Sequence, residues 1–510
     1  MSLLGLDIGS TGTKGLVFSE DGRVIAKAYR EYPMRFPRAG WVEIDSNEMW
    51  DKILDLLREL NAKLNSGLDC GSARDPITAL SVSTFGEAFT PVDKAGGILF
   101  NTIYPLDSRC TDELARVVED FGENFLYETT GVIPSYLYSL SKLLWIKKHA
   151  SGVYKKTDRF LFNEDMLFRR LGLTDTKVSY SLSSRTMFFD LKEKAWSSKI
   201  LDRYGIPPER FSSPAPSGEI VGEISRKVGE ELGFERPVFL VTGGHDQACA
   251  ALGAGSIREG TAADGIGTVE CLVPAFDGMR INDRMKKNGF CCEPSALSGL
   301  YVTLAYNMTA GSVLSWYRNT IGFKDEHRSK QEGIDFYDYV FRRLEYKPAK
   351  VHTFPYFGAS GTPYFYPRAL GAFVGLSLDT DNTEIMQSII EGLTFEMKYN
   401  LDSLEESGVR TSELRAIGGG AKSDYWLQLK SNLLEKPVYR MEVEEAGCLA
   451  TMILAGVATS VFPSCEEAVN RFVRIKNEFR PKGDNLDLYL AKYEKYKKMF
   501  TAMRSFLHEA

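Results

Sequence analysis

Leu3-Leu4-Gly5-Leu6-Asp7-Ile8-Gly9-Ser10-Thr11-Gly12-Thr13-Lys14-Gly15-Leu16-Val17-Phe18 lies at the start of the chain. Two apolar, strand-like runs flank glycines and hydroxyls, too tightly alternating for a helix, and the spacing predicts a β-hairpin with a polar turn. Such a turn suits phosphate. Glycines let backbone N–H groups approach an anion, Ser10, Thr11 and Thr13 add hydroxyl donors, and Lys14 adds positive charge. Asp7, at the end of the first strand, is placed to hold magnesium, a hard cation that takes oxygen ligands. An ordinary surface hairpin with a solvated Asp has the same local pattern, so the remaining sequence decides between them.

At 510 residues the chain is too long for one core and predicts two or more domains. Its 44% hydrophobic and 25% charged residues are those of a soluble globular protein. Lys and Arg number 62 against 68 Asp and Glu, a net charge of −6 without a long basic run. That excludes the electrostatic footprint of a nucleic-acid binder and favours small-molecule partners. The 8 cysteines contain no C-x-x-C and accompany 5 histidines, so neither a zinc site nor a disulfide framework is indicated, and a reducing compartment fits. No charged-then-apolar leader precedes the first strand, and no apolar run approaches the ~20 residues of a membrane span. The expectation is a cytoplasmic protein with no membrane partner.

Downstream of the hairpin, Val24 to Tyr29 reads as a third strand, and Met49, Trp50, Ile53, Leu54, Leu57, Leu60 and Leu64 fall at helical spacing. Asp45 or Ser46 caps that helix and Gly67 ends it. The opening order is therefore βββα. Ile77 to Ser83 predicts a buried strand that delivers Thr84-Phe85-Gly86-Glu87 at its end. Helices are expected after Arg109, over Ser139 to Ala150 and over Asn163 to Leu171, with Ser179 to Arg185 as a Ser-rich connector. Val238 to Val241 is a buried strand emptying into Thr242-Gly243-Gly244-His245-Asp246-Gln247 and a helix, the expected hinge between halves.

A second glycine hairpin, Gly260 to Leu272, opens the later half. Thr383 to Leu404 is an amphipathic helix with Asp381 and Glu384 in capping-box spacing. The strand Glu413 to Ile417 empties into Gly418-Gly419-Gly420 ahead of a helix over Trp426 to Leu434. Leu486 to Leu507 reads as a terminal helix with solvated charges.

Strand-to-glycine turns at Gly9, Gly267 and Gly419, together with a strand ending in Gly-Gly-His-Asp, imply a nucleotide held across a cleft. There is no G-x-x-x-x-G-K-[ST], and no G-x-G-x-x-G in the glycine-rich stretches, which disfavours a P-loop NTPase or a Rossmann dehydrogenase. A carboxylate at a strand end in the hinge suits a general base. Phosphoryl transfer must align an alcohol with the γ-phosphate and accept the hydroxyl proton. Asp246 is the candidate base, and a helix-capping Asp after Gly243-Gly244 is its alternative.

Over nearly its whole length the sequence resembles the FGGY family of carbohydrate kinases. The matching pieces are Asp7 to Lys14, Trp41-Val42-Glu43, Ser141-Lys142-Leu143-Leu144-Trp145, Gly244-His245-Asp246, Gly267-Thr268, Gly371 to Leu376, Glu391-Gly392 and Gly418 to Ser423. The resemblance implies an α/β protein of two actin-like (ribonuclease H-like) domains, as in actin, hexokinase and Hsp70, spanning 1–245 and 246–510 around a central cleft. It also implies a homodimer that uses ATP and Mg²⁺. ATP is expected on Gly9, Ser10, Thr11, Thr13, Lys14, Gly267, Thr268, Gly311, Ser315, Gly419, Gly420 and Asp424. Mg²⁺ is expected on Asp7 and Asp246, and the sugar on Phe85, Gly86, Glu87, Asp107, His245 and Asp246.

On the sugar side the chain departs from its family. Glycerol kinases carry Arg-Glu, and xylulose kinases Met-His, after the strand that here ends in Thr84-Phe85-Gly86-Glu87. The family's Trp-Asn/Gln-Asp is here Pro105-Leu106-Asp107. Phe-Gly and His-Asp look more like kinases of deoxy-ketoses such as fuculose or rhamnulose. A sugar kinase is the expectation, and a non-catalytic sugar or nucleotide sensor on the same fold is the alternative.

Overall fold

The computed structural model describes residues 1–66, 75–366 and 368–509; the expected helix stop at Gly67, and Cys70, lie outside them. Strands Ser2–Ile8 and Gly12–Ser19 pair antiparallel with Asp7 opposite Lys14, and Val24–Glu31 extends the sheet. Asp45 Oδ1 accepts the Glu48 N–H at 3.1 Å at the start of helix Ser46–Ser66, whose Met49, Trp50, Ile53, Leu57 and Leu60 pack under the hairpin. Strand Ile77–Thr84 lies parallel to Ser2–Ile8, and Phe239–His245 lies parallel to it in turn.

The last of these strands runs four residues past the expected end at Val241, to His245. The glycines read as a turn are strand residues chosen for close approach. A Cβ on Gly243 would stand 1.9 Å from the Val82 carbonyl oxygen, so only glycine lets the two strands stay side by side. The strand therefore carries His245 to its end beside Thr84.

The second sheet repeats the pattern. Gly260–Ile266 and Glu270–Asp277 form the second hairpin, and Thr411–Ile417 runs parallel to its first strand, followed by Val438–Met441 and Ile475–Phe479. Lys430 lies fully buried beneath this hairpin, paired with Asp264 and Glu270. Helix Asn382–Glu406 starts where Asp381 accepts the Glu384 N–H at 2.8 Å. The return bond of the expected capping box is replaced, because the Glu384 carboxylate accepts Lys350 N–H instead.

Sheet membership changes across helix Asp246–Gly253. Helix Ala446–Ala458, for which the sequence reading had no counterpart, crosses back onto the first sheet. A Cβ on Gly5 would meet the Cys448 carbonyl oxygen at 2.1 Å, and one on Gly253 the Ala446 carbonyl oxygen at 2.0 Å. Leu3, Phe18, Ala248, Leu252, Leu449 and Ile453 share the resulting core.

Two further expectations are corrected. The Ser179 to Arg185 connector is a buried turn of helix, Tyr180–Ser183, continued by a 3₁₀ turn over Ser184–Thr186. The terminal helix Leu486–Glu509 is not simply solvated. Its Tyr489, Tyr493 and Tyr496 are buried, and Lys492 donates to Glu391 at 2.5 Å and to the carbonyls of Ala349 and Val351. Among the described residues the cysteines are free thiols, and no helix is long and apolar enough to cross a membrane.

Candidate active site

The first hairpin turns tightly, with Gly9 N–H donating to the Gly12 carbonyl at 2.9 Å. Thr11 is exposed at the tip, and Ser10 bonds the Tyr104 hydroxyl. Thr13 does not join them. Its side chain points into the interior, 3.2 Å from the Tyr32 hydroxyl, which donates to the Gly9 carbonyl at 2.5 Å. Thr13 thus braces the turn from behind rather than offering a donor to phosphate. The Lys14 ammonium is also engaged, donating to Glu445 at 2.8 Å, so its charge is not free at the turn.

Asp7 accepts the Ser83 hydroxyl at 2.8 Å. Gly447 leaves room for its carboxylate, since a Cβ there would lie 3.1 Å from Asp7 Oδ1. Burial first, and then the negative charge of Asp246, push Asp7 up to about 6.

Asp246 is the first residue of helix Asp246–Gly253, and its carboxylate accepts from the Gln247 main-chain N–H. Burial and then Glu87 raise its carboxyl above the usual range, while His245 works the other way. His245 Nε2 is 3.2 Å from Asp246 Oδ1 and its Nδ1 is 3.5 Å from Glu293 Oε2. Burial opposes charging of this imidazole, but Asp246 and Glu293 outweigh it and hold its pKa above the usual value.

Arg185 and Glu293 complete the cluster, and sequence reasoning missed both. Arg185 Nε donates to Glu87 Oε1 at 2.6 Å and its Nη1 to Glu293 Oε1. Burial would raise the Glu293 carboxyl, yet Arg185 and His245 hold it down at about 2. Gly86 makes the arrangement fit, for a Cβ there would stand 3.0 Å from Arg185 Cγ and 3.1 Å from His245 Cδ2. Glu87 itself is held at φ +62°. Its carbonyl accepts from the buried Lys142, whose ammonium is lowered by burial to about 8. Strain of this kind persists where its surroundings over-determine it, as here from both main chain and side chain. Phe85 packs beside Tyr104, their ring centroids 6.1 Å apart.

Asp107 lies elsewhere. It is fully buried, held by Arg109 at 2.8 and 2.7 Å and by Val42 N–H at 2.5 Å. Arg109 also reaches Glu43 at 2.8 Å and lies 3.8 Å from the centre of the Trp41 ring. Asp107 therefore clamps the Trp41-Val42-Glu43 segment, with both oxygens taken, and is not presented to a sugar.

The remaining residues meet in one cavity of about 690 Å³, lined by Gly267, Thr268, Gly311, Ser315, Gly419 and Gly420 among others. Gly311 N–H donates to the Gly267 carbonyl at 2.9 Å, and a Cβ on Gly311 would meet that oxygen at 2.7 Å, so the helix can reach the hairpin only through glycine. Asp424 is not part of this lining. It is exposed and paired with Arg440, while the preceding Ser423 lines the cavity and caps its helix, accepting Trp426 N–H at 3.2 Å.

Residues 2–253 match the N-terminal domain, and residues 291–459 the C-terminal domain, of the FGGY family of carbohydrate kinases. The chain belongs to that family. The xylulose kinase of Bacillus subtilis is 26% identical over 98% of this chain and 96% of its own. The glycerol kinase of Haemophilus influenzae is 27% identical over 95% and 94%. Among solved structures, the ligand-bound xylulose kinase of Lactobacillus acidophilus superposes with a TM-score of 0.88 at 21% identity, covering 99% of this chain and 98% of its own. The Plasmodium falciparum glycerol kinase with ADP gives 0.86 at 18%, covering 98% of each. This FGGY kinase thus has the two-domain actin-like ATPase fold and is a phosphotransferase with a hydroxyl acceptor.

Proposed function

We propose that the chain transfers the γ-phosphate of ATP to one hydroxyl of a small ketose or polyol, with Asp246 as general base. The observation that carries this reading is the register on strand Ile77–Thr84, which sets Asp7 opposite Ser83 and His245 opposite Thr84, so that Asp7 and Asp246, the residue after His245, come to the same end of one sheet, where the charge of Asp246 raises the Asp7 carboxyl. Asp246 accepts the acceptor's hydroxyl proton while that oxygen bonds to the γ-phosphorus, the bond to the β-phosphate oxygen breaks, and ADP leaves. ATP is held between the two hairpins, its adenosine in the cavity under Gly419, with Thr11 and Thr268 at the opposed tips. The cleft lies between halves 1–245 and 246–510.

The residues fit Mg²⁺. Asp7 and Asp246 offer hard oxygen donors, Lys14 is engaged by Glu445, and Mg²⁺ takes one or two carboxylates with phosphates and water rather than a full protein cage. Bound there, Mg²⁺ supplies charge neutralisation on the phosphates.

Since relatives named xylulose kinase and glycerol kinase align over nearly the whole chain, those two acceptors head the test series. ADP release is measured against a panel of polyols, pentuloses and hexuloses. Stimulation by at least one acceptor is expected. Binding of ATP and sugar without turnover, in folded protein, would contradict the reading and leave a sensor.

A further inference from the structure

Arg185 faces Glu87 and Glu293 on one side and a second cavity, of about 290 Å³, on the other. Tyr138, Tyr306, Tyr364, Phe365 and Ile133 wall this space. At about 30 Å³ per water it has room for about ten water molecules, more than a three-carbon triol fills. Its wall is built, not incidental. Phe365 sits at φ +54°, a conformation that a bulky side chain rarely adopts, and its ring fills the gap left by Gly289, where a Cβ would stand 2.4 Å from Phe365 Cε2. Tyr306 packs edge-on to Phe365 at 5.8 Å, and Arg185 lies 5.0 Å from the centre of the Tyr138 ring.

The charge of Arg185 is offset by two carboxylates, while a guanidinium has five N–H donors, of which those aimed at Glu87 and Glu293 use three. What Arg185 leaves for a ligand is hydrogen bonding, while Lys286, held by Asn124 and Asp283, and Lys287 add positive charge to the same lining. Aromatic walls with a few fixed polar groups are the usual recipe for orienting a small polar molecule.

We propose that this cavity receives the non-reacting end of an acceptor of five or more carbons, and that Arg185 reads a hydroxyl or carbonyl oxygen of that acceptor. The inference rests on the kinase reading above. It assigns chain length to the Ile133 and Phe365 wall and places the reacting end at Glu87 and Asp246.

The test measures kcat/KM for glycerol, erythrulose, xylulose, fructose and gluconate with the wild-type chain and with Ile133→Phe, which fills part of the cavity. Leu304→Phe, on another part of the wall, serves if the first variant fails to fold. An acceptor of five or more carbons is expected to exceed glycerol at least tenfold. Ile133→Phe is expected to lower kcat/KM for such acceptors at least tenfold, through KM, with KM for ATP and the glycerol value unchanged. Preference for glycerol, or an equal loss for every acceptor, would overturn the inference. Turnover of none of the five would overturn the kinase reading first, and this inference with it.

Discussion

Gly419 and Gly420 are chain neighbours with opposite surroundings. A Cβ on Gly419 meets nothing within 4 Å beside the cavity proposed for the nucleotide, whereas one on Gly420 would stand 2.3 Å from Ile266 Cγ2. Gly419 is at φ −63°, which any residue adopts. Gly419→Val should therefore keep its melting temperature and weaken ATP binding at least tenfold by isothermal titration. Gly420→Val should lower the melting temperature through overpacking, on the order of 1–3 kcal/mol. Equal effects of the two on stability would contradict this division. The sequence showed the glycine triplet but not the division of labour within it, which depends on Ile266, more than 150 positions upstream. Arg185 was illegible for the same reason, because a lone arginine in a serine-rich stretch carries no local mark of the carboxylates it meets. Asp107 misled in the opposite way: the arginine that occupies it stands only two residues on, but nothing in the sequence shows that it folds back.

At the scale of elements, both glycine hairpins were legible because a short apolar–glycine–apolar pattern has few other solutions. Their tips carry a prediction that the structure sharpens. Thr11 and Thr268 are exposed, whereas Thr13 is buried behind the turn. Thr11→Val and Thr268→Val should raise KM for ATP more than KM for the acceptor, and Thr13→Val should chiefly affect stability. Kinetics with each substrate varied in turn decide this, and the reverse pattern would remove the tips from the nucleotide site. Helix Ala446–Ala458 was illegible because its small apolar residues show no polar face to set a period. It is seated by Gly5, so Gly5→Ala should displace Cys448 and lower stability by on the order of 1–3 kcal/mol in denaturant titration. An unchanged midpoint would mean that the helix moves without penalty.

The whole molecule joins two sheets through helix Asp246–Gly253 and through ion pairs from one half of the chain to the other, Lys14 to Glu445 and Arg185 to Glu293. All of these lie at or beside the proposed catalytic residues, which suits an enzyme that closes over its substrates. Away from that region, His352 is buried in the second half, and burial, then Lys492 and Lys495, lower it to about 4 from 6.5. Between those values the unfolded chain binds the proton and the folded one does not. Stability is therefore lost as pH falls from about 6.5 to about 4, on the order of 3 kcal/mol from this group. Glu164 and Glu396, raised to about 7 by burial, act with the opposite sign. The check is thus a difference: melting temperature against pH should fall less steeply over that window in His352→Gln than in the wild type. The central claim is that Asp246 accepts the proton in phosphoryl transfer, and Asp246→Asn tests it most directly, with kcat, substrate affinities and melting temperature measured on one preparation. The account predicts that kcat falls by about 10²–10⁴-fold while ATP and acceptor still bind and the fold keeps its melting temperature. A variant that retains near-normal kcat would contradict it.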